Sequence, residues 1–462
     1  MLDLCLAKDA ISLMIENGAD FGELFFEDRT SNSMEMTNGS MEMVSSGRIR
    51  GVGLRAFLGT NEVYAYTNDL SRDSILATAT SVGKALKGSR NQVGDFKLLA
   101  SEYEQIHRIH LNPSHVTKSV KAQAMRLAHE GASTFSELVT QIKVLYKDYD
   151  QIIIVANSKG VYVTDRRLHT NLSVQAVASQ GSEKETGSEG QGSAKGIEFF
   201  DEIDPRSVGM EAARVASKMI LAQHAPAGKM PVVISNGFGG VIFHEACGHS
   251  LEATGVAKGN SVFAGKLGQK IAADCVSAVD DGTVINECGS SHFDDEGFPT
   301  RKNLLIDRGI LKGYLVDILG GRKMNMEPNG CSRRQDYQWA PTSRMSNTFI
   351  LPGKDIPEDI IADTNYGLYA RKFGGGQVMP ATGEFNFAVK EGYLIEKGRI
   401  TKPVRGATLI GKGHEIMLKI DRVGNDLQMG NGHCGQMSGY IPVGLGQPTI
   451  RVSEILVGGR NQ

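Results

Sequence analysis

The sequence predicts an α+β protein, with an N-terminal α/β region built around an antiparallel sheet and a β-rich C-terminal domain. The chain of 462 residues is too long for one ordinary hydrophobic core, so more than one domain is expected. Helical and strand periodicities alternate in the first half, and most of the 55 glycines fall in the second half, which indicates short strands joined by turns. We expect domains over residues 1–112, 113–228 and 229–462.

The first domain is predicted to begin with a helix and to continue as an antiparallel meander. Residues 2–17 have helical periodicity and end at Asn17-Gly18, a typical helix stop. A second helix is predicted over residues 71–87. Alternating segments separated by short Gly or Asn turns predict strands over residues 23–27, 33–37, 40–45, 51–57 and 62–67.

The middle region is predicted to combine two helices with a second run of strands. One helix is expected over residues 115–130 and the other over 204–224, where Pro205 suits the first turn. Residues 179–196 are polar and rich in glycine, which predicts a flexible loop. Alternation predicts strands over residues 138–147, 151–157, 161–167 and 170–179.

The C-terminal domain is predicted to consist mainly of short strands. An apolar strand over residues 230–235 leads through the glycine loop 236–240 into a helix. The loop matches neither common phosphate-binding glycine pattern, so nucleotide binding is not expected. Further strands are predicted over residues 309–317, 347–351, 384–389, 392–397, 406–409, 415–423 and 449–457.

Composition narrows the classes of protein to which this chain can belong. The net charge is −2 and the basic residues are dispersed, so direct nucleic-acid binding is not expected. The N-terminus lacks the features of a signal peptide, and no window reaches the roughly 20 apolar residues that cross a bilayer. We therefore expect a cytoplasmic protein with no membrane segment, in which the six scattered cysteines form no disulfides.

The stretch His244-Glu245-Ala246-Cys247-Gly248-His249 carries the strongest chemical signal in the chain. Imidazole nitrogens are good zinc ligands, and a neighbouring carboxylate can take a proton from water at a metal site. The two histidines are five residues apart, which separates them by about 140° on a regular helix. Either a π-bulge brings them to one side, or the helix ends near Gly248 and His249 reaches the metal from the next turn. The alternative is that the two histidines merely share a helix.

A third ligand is expected elsewhere, because catalytic zinc sites usually have three protein ligands. Cys434 lies in a glycine-bracketed loop that can bring a thiolate close to a metal, and thiolate with imidazole suits zinc. For His292 and His414 we favour ordinary packing. Spacing alone leaves six candidates, which are Glu252, Cys247, His292, His414, His433 and Cys434.

Several motifs together give the chain a resemblance to a known family. They occupy residues 243–252, 294–297, 344–348, 403–411, 434–435 and 442–448. With these segments the chain resembles the TldD branch of the TldD/PmbA zinc metallopeptidase family over essentially its whole length. Five motifs beside the histidine stretch make this resemblance far more specific than one motif alone.

The resemblance implies a site, an assembly and a class of substrate. The family motif is H-E-x-x-x-H, which implies that His244, His249 and Cys434 bind zinc and that Glu245 is the general base. It implies a dimer, either homomeric or with a PmbA/TldE-like sister subunit, that encloses the site in a cavity. It also implies that unfolded or extended peptides are the substrates and bind by strand addition to a sheet edge.

The expected activity is zinc-dependent hydrolysis of peptide bonds. Glu245 takes a proton from the attacking water and later delivers it to the leaving amine. Glu252 is a candidate for orienting a metal ligand, with a capping or surface role as the alternative. Residues 294–296 are expected to form an acidic turn. Two other functions stay open, a metal-dependent amidase acting on small substrates and a regulatory binding protein with a structural metal site.

Overall fold

Three large β-sheets form the framework of the protein in a computed structural model that describes residues 2–89, 96–100, 107, 109–379 and 381–460. Helices and strands are mixed along the chain, and most strand pairs are antiparallel. The predicted α+β class is therefore confirmed. Within the described residues no helix is both long enough and apolar enough to span a membrane.

The N-terminal half alternates helices with long strands. Its helices are α1 (Leu4–Glu16), α2 (Arg72–Ala85), α3 (Lys118–Ser133) and α4 (Pro205–Met219). Its strands are β1 (Phe21–Thr37), β2 (Ser40–Leu58), β3 (Asn61–Thr67), β4 (Leu99–Ala100), β5 (Val139–Asn157), β6 (Val161–Gln180), β7 (Glu183–Ser193) and β8 (Gln223–His224).

The first sheet contains strands from both sides of residue 112. Its order is β3-β2-β1-β5-β6-β4, and β7 also pairs with β6. The predicted boundary at residue 112 therefore does not separate two sheets, since β1 pairs directly with β5. The division into residues 1–112, 113–228 and 229–462 stays a proposal.

Helices cover one face of the first sheet and the C-terminal half of the chain covers the other. Because side chains alternate along a strand, the even-numbered residues of β1 face the helices. Leu24 packs in the cluster formed with α1 and α2, and Met36 in the cluster formed with α3 and α4. Phe25 points the opposite way and packs with Phe293 and Tyr337. The sheet is thus buried on both faces near these residues.

Most of residues 179–196, predicted to be a flexible loop, form strand β7 instead. This strand pairs with β6 in antiparallel register along its whole length. Its glycines serve close packing, because a Cβ atom on Gly187 would lie 2.1 Å from the Ala212 carbonyl oxygen of α4. The polar composition was misleading because β7 is an edge strand with little apolar side chain to bury.

Several other predicted boundaries in the N-terminal half shift. The segments 23–27 and 33–37 belong to one continuous strand, β1. The helix predicted from residue 115 begins at Lys118, because Pro113–His115 form a separate 3-10 turn.

The C-terminal half combines short helices with two further large sheets. Its helices are α5 (Val241–Ala246), α6 (Ala253–Val256), α7 (Ile318–Met324), α8 (Pro357–Ala362) and α9 (Gly413–Ile416). Its strands are β9 (Gly228–Ile234), β10 (Ala278–Asp281), β11 (Lys302–Asp307), β12 (Ile310–Leu311), β13 (Ser332–Arg333), β14 (Thr342–Ser343), β15 (Asn347–Ile350), β16 (Tyr366–Met379), β17 (Glu384–Glu396), β18 (Arg399–Arg405), β19 (Thr408–Lys412), β20 (Ile420–Val423), β21 (Gln428–Gln436), β22 (Gly439–Gln447) and β23 (Ile450–Gly458).

Two of the predicted C-terminal strands are shorter than expected. The segment 309–317 contributes only β12, and the segment 415–423 contains the end of α9, a 3-10 turn and β20. Periodicity alone did not separate these short turns and helices from strands.

The two C-terminal sheets meet where the histidine motif lies. One sheet has the order β12-β11-β10-β15-β22-β21, with β21 at its edge. The other has the order β16-β9-β23-β19-β17-β18-β8, and an extra pairing of β16 with β17 closes five strands into a ring. Because α5 follows β9 and contacts β22, the motif lies between this ring and the edge of the six-stranded sheet.

Candidate metal centre

The two motif histidines come from two different helical segments. Helix α5, which carries His244, ends at Ala246, and the 3-10 turn Gly248–Leu251 carries His249. Residues 241–251 are all described and none of them is π-helical, so the second of the two predicted geometries is the one adopted. The break brings the two imidazole rings to a centroid distance of 4.9 Å with an interplanar angle of 83°.

Two glycines let the motif pack closely against its surroundings. A Cβ atom on Gly240, just before α5, would lie 2.6 Å from the backbone of Gly446 on β22. A Cβ atom on Gly248 would lie 2.2 Å from the sulfur of Met345. Gly240 therefore has to be glycine if α5 is to keep its place, whereas a side chain at Gly248 would displace the Met345 side chain.

Cys434 reaches the histidine pair from the edge strand β21. Its Sγ atom lies 3.3 Å from Nε2 of His249. Donor atoms of His244, His249 and Cys434 all lie within 4.8 Å of one another, and all three residues are buried. Over the described part of the chain, no other group of three His, Cys, Asp or Glu residues is arranged in this way. The remaining candidates lie outside the group, namely Glu252, Cys247, His292, His414 and His433.

The donor set fits a soft divalent cation such as zinc. Nδ1 of His244 is buried and has no hydrogen-bond partner among the described residues. Two imidazoles with one thiolate are ligands that zinc prefers. Three protein donors are also the number found in catalytic zinc sites, whereas structural sites usually have four.

The far side of the His249 ring is held by two polar side chains. Nδ1 of His249 lies 3.2 Å from Oε2 of Glu252 and 2.7 Å from the side-chain amide nitrogen of Gln436. Nε2, on the other side of the ring, faces the Cys434 sulfur. A carboxylate behind an imidazole fixes its tautomer and orientation in many metal sites. Glu252 is buried, which argues against a surface role, and it stands at the N-cap of α6 without a capping hydrogen bond from its side chain.

A buried arginine joins the two halves of the site. The Arg344 guanidinium donates to the Cys434 carbonyl at 2.7 Å and to the Gly439 carbonyl at 3.1 Å. Its Nε atom lies 4.0 Å from Oε1 of Glu252. Sequence reasoning assigned no role to Arg344 or Gln436. Gln436 could have been found, because it lies two residues past Cys434 and shares its face of the strand.

Glu245 lies beside the donor set and stays open to solvent. One carboxylate oxygen is 3.6 Å from Nε2 of His249, and the side chain is 21% exposed. Burial raises the pKa of Glu245 above its usual value. A carboxylate with a raised pKa is a stronger base and is better suited to moving a proton near neutral pH.

The protonation of the two histidines is shifted in opposite directions. Burial, together with His249 and Arg344, lowers the pKa of His244 well below its usual value. For His249 the effect of burial is outweighed by Glu252 and Cys434, which hold its pKa well above the usual value. The opposite shifts follow from the Glu252 carboxylate, which faces His249 and not His244.

Residues 294–296 form the buried acidic turn that was expected. Oδ1 of Asp294 accepts hydrogen bonds from the amides of Glu296 and Phe298. Asp295 pairs with Arg167 at 2.7 Å. These contacts give the turn a structural role away from the three donors.

Family profiles of the PmbA/TldA metallopeptidases match three consecutive parts of the chain. The profile of domain 1 matches residues 22–86, that of the central domain residues 111–220, and that of the C-terminal domain residues 227–459.

Curated relatives match nearly the whole chain. A metalloprotease TldD homolog of Haemophilus influenzae is 38% identical over 463 residues, which cover 97% of this chain and 95% of the relative. A zinc metalloprotease TldD homolog of Saccharolobus solfataricus is 25% identical, over 96% of this chain and 98% of the relative.

Solved structures share the fold. One, described as a candidate modulator of a DNA gyrase from Thermotoga maritima, has a TM-score of 0.81 and 22% identity, covering 98% of this chain and 99% of its own. TldE from Thermococcus kodakarensis has a TM-score of 0.76 and 17% identity, covering 98% of this chain and 100% of its own. At these identities the likeness concerns the fold alone.

The family assignment rests on sequence. The profile of the C-terminal domain alone spans residues 227–459, and relatives named as TldD homologs match nearly the whole chain. The resemblance drawn from the motifs is thereby confirmed. The chain belongs to the TldD branch of the PmbA/TldD metallopeptidase family.

Proposed function

We propose that this protein is a zinc-dependent metallopeptidase that hydrolyses peptide bonds in unfolded or extended peptides. The observation that carries the proposal is the convergence of His244, His249 and Cys434, whose donor atoms lie within 4.8 Å of one another beside Glu245. A relative named zinc metalloprotease supports the choice of zinc. Relatives named metalloproteases support hydrolysis of peptide bonds.

Each residue has a definite role in this proposal. His244, His249 and Cys434 would hold a zinc ion, which would supply a Lewis acid for the substrate carbonyl and would lower the pKa of water. Glu245 takes the proton of the attacking water and delivers it to the leaving amine. Glu252, 3.2 Å from Nδ1 of His249, would keep the ring proton on Nδ1 and leave Nε2 free to bind the metal.

The substrate is proposed to bind by adding a strand beside Cys434. In the described part of the chain, β21 is an edge strand that pairs with β22 alone. Main-chain pairing satisfies the amides of an extended peptide without requiring a particular side-chain sequence. A folded protein could not present its backbone in this way.

The proposed assembly is a dimer that encloses the site, either homomeric or with a PmbA/TldE-like sister subunit. The solved TldE structure, with its TM-score of 0.76, shares this fold and is the kind of subunit that could serve as a partner. Light scattering of the protein alone and mixed with a sister subunit would distinguish the two assemblies. The cytoplasm stays the expected location.

The variant Glu245→Gln tests the catalytic part of the proposal. It should retain zinc and lose about 100-fold or more of its activity on unfolded peptides, because proton transfer contributes that much in typical enzymes. The matched control is Glu415→Gln, an exposed glutamate on the neighbouring helix α9, which should keep both zinc and activity. Full activity of Glu245→Gln would remove Glu245 from the mechanism.

The metal and the substrate class need their own measurements. Anomalous scattering at the zinc edge from a crystal of the protein would identify the ion and its ligands together. Activity on unfolded peptides, compared with small amides, separates a peptidase from an amidase. Carefully purified protein without bound metal would favour a regulatory binding protein instead.

A further inference from the structure

A separate cavity lies on the other side of the β21–β22 hairpin from the metal centre. Its volume is about 560 Å³, and its walls come from β1, β5 and β6 of the first sheet and from the hairpin. His433 and Tyr440 line it, whereas none of the three donor residues of the metal centre does. Alternation along β21 places His433 and Cys434 on opposite faces of the strand. The cavity is therefore distinct from the site of the proposed peptidase activity.

Most of the cations in the cavity wall already have carboxylate partners. Nitrogen–oxygen distances between 2.7 and 3.5 Å pair a carboxylate with each of Arg29, Arg166, Arg167 and Arg334. These pairs are structural, and their charges are compensated within the protein. These four paired arginines therefore exert little electrostatic attraction on a charged ligand.

Arg333 differs from these arginines. Its guanidinium donates to the carbonyls of Met345 at 2.8 Å and Pro442 at 2.7 Å, and it forms no ion pair with any described residue. Burial lowers the pKa of Arg333 to about 10, which reflects a charge that its surroundings do not fully stabilise. Two of its five N–H donors are used, so three remain. Lys147 also lines the cavity without an ion pair among the described residues, but it is exposed to solvent.

Aromatic rings form flat walls near this charge. Tyr149 stacks on His169 with a centroid distance of 5.4 Å, and His433 stacks on Tyr440 at 5.0 Å. All four residues line the cavity. Such surfaces suit an apolar or aromatic group, which can slide against a ring face.

We propose that this cavity binds a carboxylate attached to an apolar or aromatic group, with Arg333 as the charged partner. A guanidinium presents N–H donors in a fork that matches a carboxylate. Arg333 is the partly buried cation of this wall without an ion pair among the described residues, and Lys147 is exposed and stabilised by water. The site therefore favours a monoanion over a phosphate dianion. The C-terminus of a peptide and a free carboxylic acid offer the same chemistry.

The charge requirement can be tested on the full-length protein by isothermal titration calorimetry. 3-Phenylpropionate should bind at least tenfold more tightly than 3-phenyl-1-propanol, which has the same ring and no charge. Equal affinity for the two compounds would overturn the proposal. Inorganic phosphate that displaces 3-phenylpropionate at lower concentration than acetate would overturn the choice of a carboxylate.

The role of Arg333 is tested by substitution. Arg333→Gln keeps an amide donor and removes the charge, and it should weaken binding of 3-phenylpropionate at least tenfold. Arg166→Gln is the matched control, because Arg166 lines the same cavity but is paired with Asp150 at 2.9 Å. Equal affinity in Arg333→Gln and Arg166→Gln would contradict the proposal. If Arg333→Gln does not fold, the comparison of acid and alcohol on the unaltered protein still decides.

A further titration distinguishes a peptide C-terminus from a small carboxylic acid as the ligand. The peptide Ala-Ala-Phe with a free C-terminus, compared with its C-terminal amide, is titrated into Glu245→Gln protein. Tighter binding of the free acid than of 3-phenylpropionate assigns the site to peptide ends, and weaker binding assigns it to small acids. Equal binding of the peptide acid and its amide would contradict the proposal. These measurements need no catalysis, so their failure and that of the peptidase proposal are distinguishable.

Discussion

Cys434 is the residue whose replacement should affect the metal centre most. It lies 185 positions from His249 in the chain, yet its sulfur is 3.3 Å from the ring. Cys434→Ser removes the thiolate, and it should weaken zinc binding by more than the roughly 10–100-fold that loss of an outer hydrogen-bond partner costs. Zinc per chain after dialysis against graded chelator concentrations measures the effect.

Cys247 provides the control for that substitution. It lies inside the motif and was one of the candidate ligands, but it is fully buried in the hydrophobic core and outside the group of three donors. Cys247→Ala should therefore keep zinc, with at most a loss of folding stability. Full zinc retention in Cys434→Ser, or its loss in Cys247→Ala, would contradict the assigned ligand set.

His169 should make the unfolding free energy depend on pH. Burial, with the nearby His433, lowers the pKa of His169 to about 3, whereas an unfolded histidine titrates near 6.5. Between these values the unfolded chain binds the extra proton, so the unfolding free energy falls as the pH decreases from 6.5 toward 3. The contribution of His169 to the unfolding free energy therefore has its full value above pH 6.5.

Replacing His169 removes that dependence. His169→Gln should reduce the slope of unfolding free energy against pH by up to one proton, which is about 1.4 kcal/mol per pH unit. Urea denaturation at several pH values between 4 and 6.5 measures the slope. The same slope in variant and wild type would show that His169 does not titrate differently in the folded protein.

Among the elements, the fit between the glycine turn before α5 and strand β22 determines where the motif lies. A Cβ atom on Gly240 would be 2.6 Å from the backbone of Gly446, so Gly240→Ala forces the two apart. Overpacking of this kind costs about 1–3 kcal/mol, and zinc binding should weaken as well, because both histidines follow the turn.

The control for this effect is Gly47→Ala in β2. A Cβ atom there would meet nothing within 4 Å, so neither stability nor zinc binding should decrease. Thermal unfolding and zinc content of both variants give the comparison. Similar losses in the two variants would show that close packing at Gly240 is not the cause.

Helices and strands were predicted correctly where one face is buried, because apolar residues then repeat at a fixed spacing along the sequence. Helices α1 and α2 were predicted close to their observed ends, because one face of each packs on the sheet and the other meets solvent. Strand β7 was missed because it is polar and rich in glycine. Pairing of its main chain with β6, and not burial of side chains, makes it a strand.

In the whole molecule, buried ion pairs join the first sheet to the C-terminal half. Arg55 of β2 contacts Glu296 of the acidic turn and lies 3.8 Å from Glu23. Glu23 in turn accepts from Arg334 at 2.8 Å. All four residues are buried, so their charges depend on one another for compensation.

Arg55→Met should destabilise the protein strongly. It leaves the carboxylates of Glu23 and Glu296 buried with one fewer cation, and breaking a buried pair costs about 3–5 kcal/mol. The unfolding free energy from chemical denaturation measures the loss. Arg55→Met combined with Glu296→Gln should recover part of it, because the uncompensated carboxylate is then removed.

Arg48 on the same strand is the control. It pairs with Asp28 at the surface and its side chain is 62% exposed. Arg48→Met should leave the unfolding free energy nearly unchanged, since water stabilises the charges of an exposed pair. Equal losses in Arg55→Met and Arg48→Met would contradict a structural role for burial of the Arg55 pairs.

The sequence by itself determined the α+β class, most helices, and the residues of the histidine motif, because periodicity and local spacing are properties of neighbouring residues. Its resemblance to a family pointed to Cys434, although spacing left six candidates. Only the tertiary structure decided that the helix ends at Ala246, that Cys434 lies beside His249, and that Arg344 and Gln436 support them. It also placed Arg333 in the wall of a cavity, where this arginine forms no ion pair with a described residue. These features arise where distant strands meet, and the pairing of strands far apart in sequence is set by burial and packing of the whole chain.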